Sequence, residues 1–153
     1  MIQSFRNEPF SLTSTSSPIS LTTDCIRSRN ANCCGWLQHN EGSPLYKILQ
    51  GGNYEVEFNA NVSGLTAGPV AISILVDGIP LDAGATAIST ITTPGDYENI
   101  SIHKVIPICC KGDATITIAS IPSVLTGATL PGTPTDTVIP LIQNANLTII
   151  RKC

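Results

Sequence analysis

The sequence predicts an all-β fold, an antiparallel β-sandwich, and three observations support this prediction. Apolar and polar residues alternate strictly over positions 54–62, which is the period of a strand with one buried face. Further short apolar runs follow at close spacing, separated by turns rich in glycine and proline. No window has the periodicity of an amphipathic helix, so we expect the runs to pair as packed sheets within one domain.

The individual strands are expected in chain order. Residues 19–22 alternate like a strand, and residues 36–50 form a long ordered loop that ends in a short strand at 45–49. Asp77-Gly78 lies between two apolar runs and predicts a tight hairpin. A loop rich in Pro, Gly and Thr is expected at 122–138. The remaining strands are expected at 54–62, 70–76, 85–91, 99–105, 114–119 and 144–151.

The first twenty residues are predicted to form an N-terminal arm, with the folded domain spanning 21–153. They are rich in Ser and Thr, and Phe5 and Phe10 are their only aromatic residues. Disordered tails usually lack aromatic residues, so these two side chains are candidates for anchoring the arm in a partner. The alternative is a frayed terminus.

The charge content is low and limits the classes of partner. Charged residues make up 12% of the 153 residues, against about 25% in an average soluble domain. Either a surface of Ser, Thr, Asn and Gly or burial against further copies would explain the shortage. With eight Lys and Arg and a net charge of −3, we expect no nucleic-acid partner and no anionic membrane surface.

The chain has neither a predicted membrane span nor a predicted signal peptide. No stretch approaches 18 uninterrupted apolar residues, which a spanning helix would need. Glu8 and Pro9 stand where the apolar region of a signal peptide would lie. We therefore expect the protein to be made and folded in a cytoplasm and not to be secreted by a signal peptide.

Six cysteines are present, and the reducing cytosol favours free thiols. Neighbouring strand residues point to opposite faces, so one thiol of each adjacent pair can be buried. Disulfides formed after release and a zinc site remain alternatives, but we predict no metal and no cofactor. The cysteines are Cys25, Cys33, Cys34, Cys109, Cys110 and Cys153.

No catalytic motif is present, and the chain is not expected to be an enzyme. His39 is expected in solvent and His103 in a structural hydrogen bond on a strand. Glu55 and Glu57 share a strand face about 7 Å apart; a solvated face is the favoured interpretation, with a glycosidase pair or calcium as alternatives.

Two aromatic residues near the long loop are candidate ligand contacts. These are Trp36 and Tyr46, because aromatic side chains dominate recognition sites. The alternative is that both pack as a small cluster under the loop.

Three segments carry a resemblance to a known family. Residues 52–62 are similar to the "Gly-x-Tyr-x-Val-x-Phe-x-Ala-x-Val" strand of C1q/TNF-like jelly-roll domains, Val76-Asp77-Gly78 to the following hairpin, and residues 144–150 to the terminal strand. The likeness is nearest to exosporium C-terminal domains and small phage-encoded versions. It implies a homotrimer of non-enzymatic jelly rolls. The expected interface or core residues are Tyr54, Val56, Phe58, Leu147 and Ile149.

The resemblance leads to an expected function. The chain has no collagen-like Gly-x-y stalk, so a phage virion component fits better than a spore-surface filament. We expect a trimeric capsid decoration or head-fibre protein, located in the virion, whose partners are its own copies and a major capsid or other virion protein. The alternatives are a receptor- or glycan-binding knob on a fibre tip or on a spore or cell surface, and a metal-binding or hydrolytic jelly roll.

Overall fold

A computed structural model describes residues 1–26, 35–109, 113–122 and 138–152. These residues form two antiparallel sheets that pack face to face, as the sequence predicts. The strands are β1 (Ile2–Arg6), β2 (Phe10–Ser11), β3 (Thr23–Ile26), β4 (Leu37–Gln38), β5 (Tyr46–Ile48), β6 (Gly52–Gly64), β7 (Gly68–Val76), β8 (Ile79–Pro80), β9 (Thr86–Ile91), β10 (Glu98–Ile108), β11 (Ala114–Ile121) and β12 (Pro140–Lys152).

The strand order defines the two sheets. Sheet A has the order β10-β6-β12-β1-β3, and β2 pairs with the beginning of β12. Sheet B has the order β4-β5-β11-β7-β8, and β9 also pairs with β7. A short 3-10 turn, Ala83–Ala85, precedes β9. No helix in the described part of the chain is long and apolar enough to cross a membrane.

Residue alternation explains how the long strands of sheet A bury one face. Tyr54, Val56 and Phe58 on β6 are fully buried, and so are Leu147 and Ile149 on the neighbouring strand β12. All five contribute to one apolar cluster between the sheets. Burial of apolar surface contributes on the order of 25 cal/mol per Å², so this shared core is the main stabilising term.

The hairpin predicted at Asp77-Gly78 is confirmed. Both residues have positive φ, 53° and 79°, which is the requirement of a type I′ turn. Asp77 tolerates this conformation better than most residues. Its carboxylate also accepts a hydrogen bond of 2.8 Å from the backbone N–H of Thr115. The turn therefore connects β7 to β8 and is also tied to β11.

The prediction of an N-terminal arm is wrong. Residues Ile2–Arg6 form a strand that pairs with β12 on one side and with β3 on the other. Ile2 is fully buried. Phe5 and Phe10 are half-buried in β1 and β2. The high Ser and Thr content of the segment led to the prediction of an arm. The short alternation Ile2-Gln3-Ser4 within it is a strand, and its inward side chains complete the core.

The next segment of the chain is also part of the sandwich. Pro18 forms a β-bridge with Ala119, and Ile19 and Leu21 are buried. Residues 19–22 therefore do not form the expected strand. They belong to an extended segment that runs along the edge of β11. The predicted loop at 122–138 lies almost entirely outside the described residues.

Candidate interaction surface

The outer face of sheet A points away from sheet B and is the broadest candidate for an interaction. We call it the amide face, because Asn and Gln side chains are prominent on it. Its residues alternate with the buried core positions of the same strands. They are Gln3, Phe5, Glu55, Glu57, Asn59, Asn61, Asn99, Ser101, His103, Val105, Asn146, Thr148 and Ile150.

The strand register aligns these side chains in rows across the sheet. Asn59 lies opposite Ser101 on one side and Asn146 on the other, and Phe5 continues the row beyond Asn146. Cross-strand neighbours at such spacing, about 4.5–5.5 Å between Cβ atoms, interact directly. The rows thus give a continuous surface of amides and hydroxyls over four strands.

Charge is concentrated at one end of the amide face. The Glu55 carboxylate accepts a hydrogen bond of 2.8 Å from Nε2 of His103 and pairs with Nζ of Lys152 at 2.5 Å. These two partners, Lys152 first, hold the pKa of Glu55 below its usual value. The expected hydrogen bond of His103 is therefore present, although its side chain is exposed rather than surrounded by apolar groups.

The other half of the face, the rows that contain Asn59 and Asn61, is neutral. The Asn99 amide donates to Oδ1 of Asn61 at 3.1 Å. The Asn59 amide donates to Glu57 at 3.2 Å. These contacts arrange the amides, but each amide keeps further donor and acceptor capacity for a partner.

The five residues expected at the interface or core lie in the core. Tyr54, Val56, Phe58, Leu147 and Ile149 are at most 1% exposed within a single chain. A second copy would therefore contact the alternate residues of the same strands. The alternation predicted that these apolar positions form the buried face, but it did not show that a partner would have to contact the opposite, polar face.

The two candidate ligand contacts are also buried, so the prediction of a ligand surface there is wrong. Trp36 packs against Tyr54 with ring centroids 5.3 Å apart. Tyr46 stacks on His39 at 3.9 Å with nearly parallel rings. Both aromatic residues belong to the main apolar cluster, which agrees with the packing alternative.

A buried polar cluster joins the two sheets, and no pattern in the sequence predicts it. The Ser4 hydroxyl on β1 donates to Oδ1 of Asp24 on β3 at 2.5 Å. Oδ2 of Asp24 lies 3.2 Å from Nε2 of His39, whose side chain is fully buried. Nδ1 of His39 donates to the carbonyl of Leu45 at 2.9 Å. The expectation that His39 is solvent-exposed is therefore wrong.

This cluster contains serine, aspartate and histidine but does not form a hydrolytic triad. In a triad the histidine accepts the serine proton and the aspartate orients the histidine. Here Asp24 lies between Ser4 and His39, so Ser4 donates to a carboxylate and has no general base. The cluster therefore has a structural geometry and links sheet A to the β4–β5 edge of sheet B.

Burial changes the acidity of Tyr46 in the same cluster. Desolvation raises its pKa to about 12; the nearby Ser4 hydroxyl opposes the shift, and the Asp24 carboxylate adds to it. Its hydroxyl has no well-aligned hydrogen-bond partner among the described residues. The phenol is thus held neutral.

The described cysteines are free thiols. Cys25 is half-buried and Cys109 is exposed, so the expectation of buried thiols is wrong for Cys109. The other four lie outside the described residues. Within the described residues, no three His, Cys, Asp or Glu side chains group as metal ligands.

Comparison with known proteins supports the fold. No protein-family model matches the chain, and no curated protein matches it. The structure is similar to the globular domain of zebrafish complement 1qA protein, with a TM-score of 0.60, 12% identity, and coverage of 99% of this chain and 96% of that one. Rabbit GITRL aligns over 78% of each chain at 13% identity with a TM-score of 0.44.

The first of these likenesses shows a shared fold. The chain is an antiparallel β-sandwich of the C1q/TNF-like jelly-roll type, as the sequence predicts. At this level of identity, the likeness carries no activity or partner to the chain.

Proposed function

We propose that this chain is a non-catalytic, self-assembling domain whose copies associate through the amide face into a trimer. The observation that carries the proposal is the neutral half of that face. A solvated sheet face normally has many charged side chains, whereas charge depletion is typical of the centre of protein interfaces. Here, the titratable groups Glu55, Glu57, His103 and Lys152 lie in one half, and the rows of Asn59 and Asn61 in the other half carry no charge.

Self-association also agrees with the chain composition. Only 12% of its residues are charged, and the amide face is a broad area on which few charges would have to be desolvated. Exposed amides and hydroxyls can pair with the same groups on a second copy. The resemblance to C1q/TNF-like domains implies three copies around an axis.

We infer further that the assembly is a virion component, a capsid decoration or head-fibre protein bound to a major capsid or other virion protein. Its support is the likeness of the motifs to small phage-encoded domains and the low cationic charge, which suits a partner other than nucleic acid. The two candidate ligand contacts, Trp36 and Tyr46, are buried and therefore give the alternative knob function no support.

Thr148→Arg tests the self-assembly. Thr148 is half-buried on the amide face between Glu57 and Gln3, so an arginine in the single chain can pair with Glu57. In an assembly, the arginines of several copies would lie in a surface from which water is excluded. Burying these cations costs free energy and opposes association. The matched control is Thr90→Arg, at an exposed position on β9 of the other sheet. Sedimentation velocity should show Thr148→Arg dissociated and Thr90→Arg assembled.

Two results would contradict the assembly proposal. Thr148→Arg could sediment like the unmodified protein, or both variants could dissociate equally. A far-UV circular dichroism spectrum unchanged in Thr148→Arg confirms that any loss of mass is not a loss of folding.

The virion proposal has its own test. Particles released by the bacterium that carries the gene are purified and analysed by mass spectrometry and immunogold labelling. We expect the chain at many copies per particle, on the head or its fibres. Particles that lack the chain would overturn the virion assignment and leave the self-assembly result unaffected.

A further inference from the structure

A groove lies at one edge of the sandwich, where β1 ends. It is formed by the end of β1, by β2 and by the segment that leads to the Pro18 bridge with β11. Its volume is about 250 Å³, which is below the roughly 300–1,000 Å³ of pockets for drug-sized ligands. The groove therefore suits a ligand of about the size of one sugar ring.

A single cation dominates the charge of this groove. The Arg6 guanidinium lies 4.0 Å from the centroid of the Phe10 ring, a cation–π contact. Among the described residues, no carboxylate pairs with Arg6, and none of the residues that line the groove is acidic. In a chain of net charge −3, an unpaired guanidinium held in a groove is suited to an anion.

Hydroxyl groups form the remainder of the polar lining. They belong to Ser11, Thr13, Ser17 and Ser20. Oγ of Ser17 lies 2.9 Å from the hydroxyls of Thr13 and Ser14 and accepts a hydrogen bond of 2.9 Å from the Ser14 N–H. Ser17 is 6% exposed, so this wall is fixed before any ligand arrives.

Two of the hydroxyls remain available. Ser11 and Ser20 make no side-chain hydrogen bond with another described residue, and neither is buried. A serine hydroxyl can donate and accept at once, as the hydroxyls of a sugar do. A planar guanidinium binds a carboxylate through two parallel hydrogen bonds.

We propose that the groove binds an acidic monosaccharide, with its carboxylate on Arg6 and its ring hydroxyls on Ser11 and Ser20. The site lies within one chain and goes beyond the proposed self-assembly. It gives the domain a means to recognise acidic polysaccharide. Loss of sugar binding and loss of assembly are separately measurable, because Thr148 does not line the groove.

The test uses sodium D-glucuronate as the probe, with D-glucose and inorganic phosphate as matched ligands, measured by protein-observed NMR titration of the full chain. We expect glucuronate to bind with a dissociation constant on the order of 1 mM. Glucose should bind at least tenfold more weakly, because it lacks the carboxylate. The shifted resonances should be those of the groove.

Variants assign the binding to individual groups. Arg6→Gln should weaken glucuronate binding by about tenfold or more, and Arg6→Lys by less, because the charge remains without the planar fork. Ser20→Ala should weaken it by a smaller factor and leaves the Arg6–Phe10 contact in place. The matched control is Lys47→Gln, which removes an exposed cation on β5 and should leave binding unchanged.

Several results would overturn the proposal. Equal binding of glucose and glucuronate would show that Arg6 does not select the ligand. Phosphate binding as tightly as glucuronate in the same groove would identify a general oxyanion site instead of a sugar site. No shift in the groove at 20 mM glucuronate, about twenty times the expected dissociation constant, would show that there is no site.

Discussion

Several buried polar side chains in this sandwich have an atom that lacks an aligned hydrogen-bond partner. Tyr46 and His39 have a polar atom without an aligned partner among the described residues, and so does Ser63. An unpaired buried polar group costs free energy because it loses water without a replacement. Single substitutions at these residues are therefore informative.

Tyr46 should limit the stability of the protein in alkaline solution. Its pKa in the folded protein is raised to about 12, above the value of about 10 for an exposed tyrosine. The folded state therefore keeps a proton that the unfolded state releases. Its contribution is complete below pH 10 and is lost as the pH rises towards 12. The loss amounts to roughly 3 kcal/mol for a shift of about two pKa units.

Tyr46→Phe tests this assignment. Because the hydroxyl has no aligned partner, the variant should be about as stable as the unmodified protein at pH 7. It should lose less stability between pH 9 and pH 11.5, measured by urea unfolding at each pH. A parallel loss in both proteins would show that Tyr46 is not the group responsible.

Ser63 and Ser73 form a matched pair of buried serines. Both are fully buried, but the Ser73 hydroxyl accepts a hydrogen bond of 2.9 Å from Thr86 and lies 3.3 Å from the Ala85 carbonyl. Ser73→Ala should cost about 1–2 kcal/mol, and Ser63→Ala should change stability by less than about 0.5 kcal/mol. Chemical denaturation measures both, and an equal cost would refute the difference in hydrogen-bonding.

The polar cluster around His39 could not be predicted from the sequence. His39 stands in a run of polar residues, which is typical of an exposed loop. Its partner Asp24 and the attached Ser4 come from distant strands. Local patterns carry no information on such contacts, because the packing of the two sheets creates them.

At the scale of single strands, the long alternating segments were predictable and most of the short ones were not. β6 and the β7–β8 hairpin follow from period-two alternation and from Asp77-Gly78. β1 has only five residues, and the polar residues around it obscure its alternation. β5 was predicted as the short strand at 45–49, but β4 has two residues and was taken as part of the preceding loop. Partners elsewhere in the sheet, rather than local preference, determine these strands.

Ile2→Ala tests whether β1 is a structural strand. Ile2 is fully buried between β12 and β3, and its truncation should cost about 2–4 kcal/mol. The control is Glu8→Ala, which changes an exposed residue beyond the end of the strand. Unfolding is measured at one fixed protomer concentration, since assembly would add to stability. Equal stability of both variants would mean that residues 1–20 are an arm after all.

At the scale of the whole molecule, low charge and sheet geometry point to the same surface. The sequence has fewer charged residues than an average soluble domain. The structure places neutral amides and hydroxyls together on the outer face of sheet A. The alternation in the sequence separates this polar face from the buried face, but it does not show how the polar residues of neighbouring strands align in rows across the sheet.

The groove and the amide face would give the protein two separate surfaces. One would hold copies together, and the other would bind a ligand within each copy. Repetition of a weak site in an assembly raises the overall affinity for a repeating ligand without new contacts. A millimolar sugar site would therefore be effective only if the domain self-assembles.

The mass of the purified chain in solution, measured by light scattering with and without reductant, tests self-assembly most directly. We predict about three times 16.1 kDa in both conditions, since the amide face uses hydrogen bonds and apolar contacts rather than disulfides. A mass of 16.1 kDa in both conditions would contradict the account. A mass that falls to that of one chain when reductant is added would show that cysteines, and not the amide face, hold the copies together.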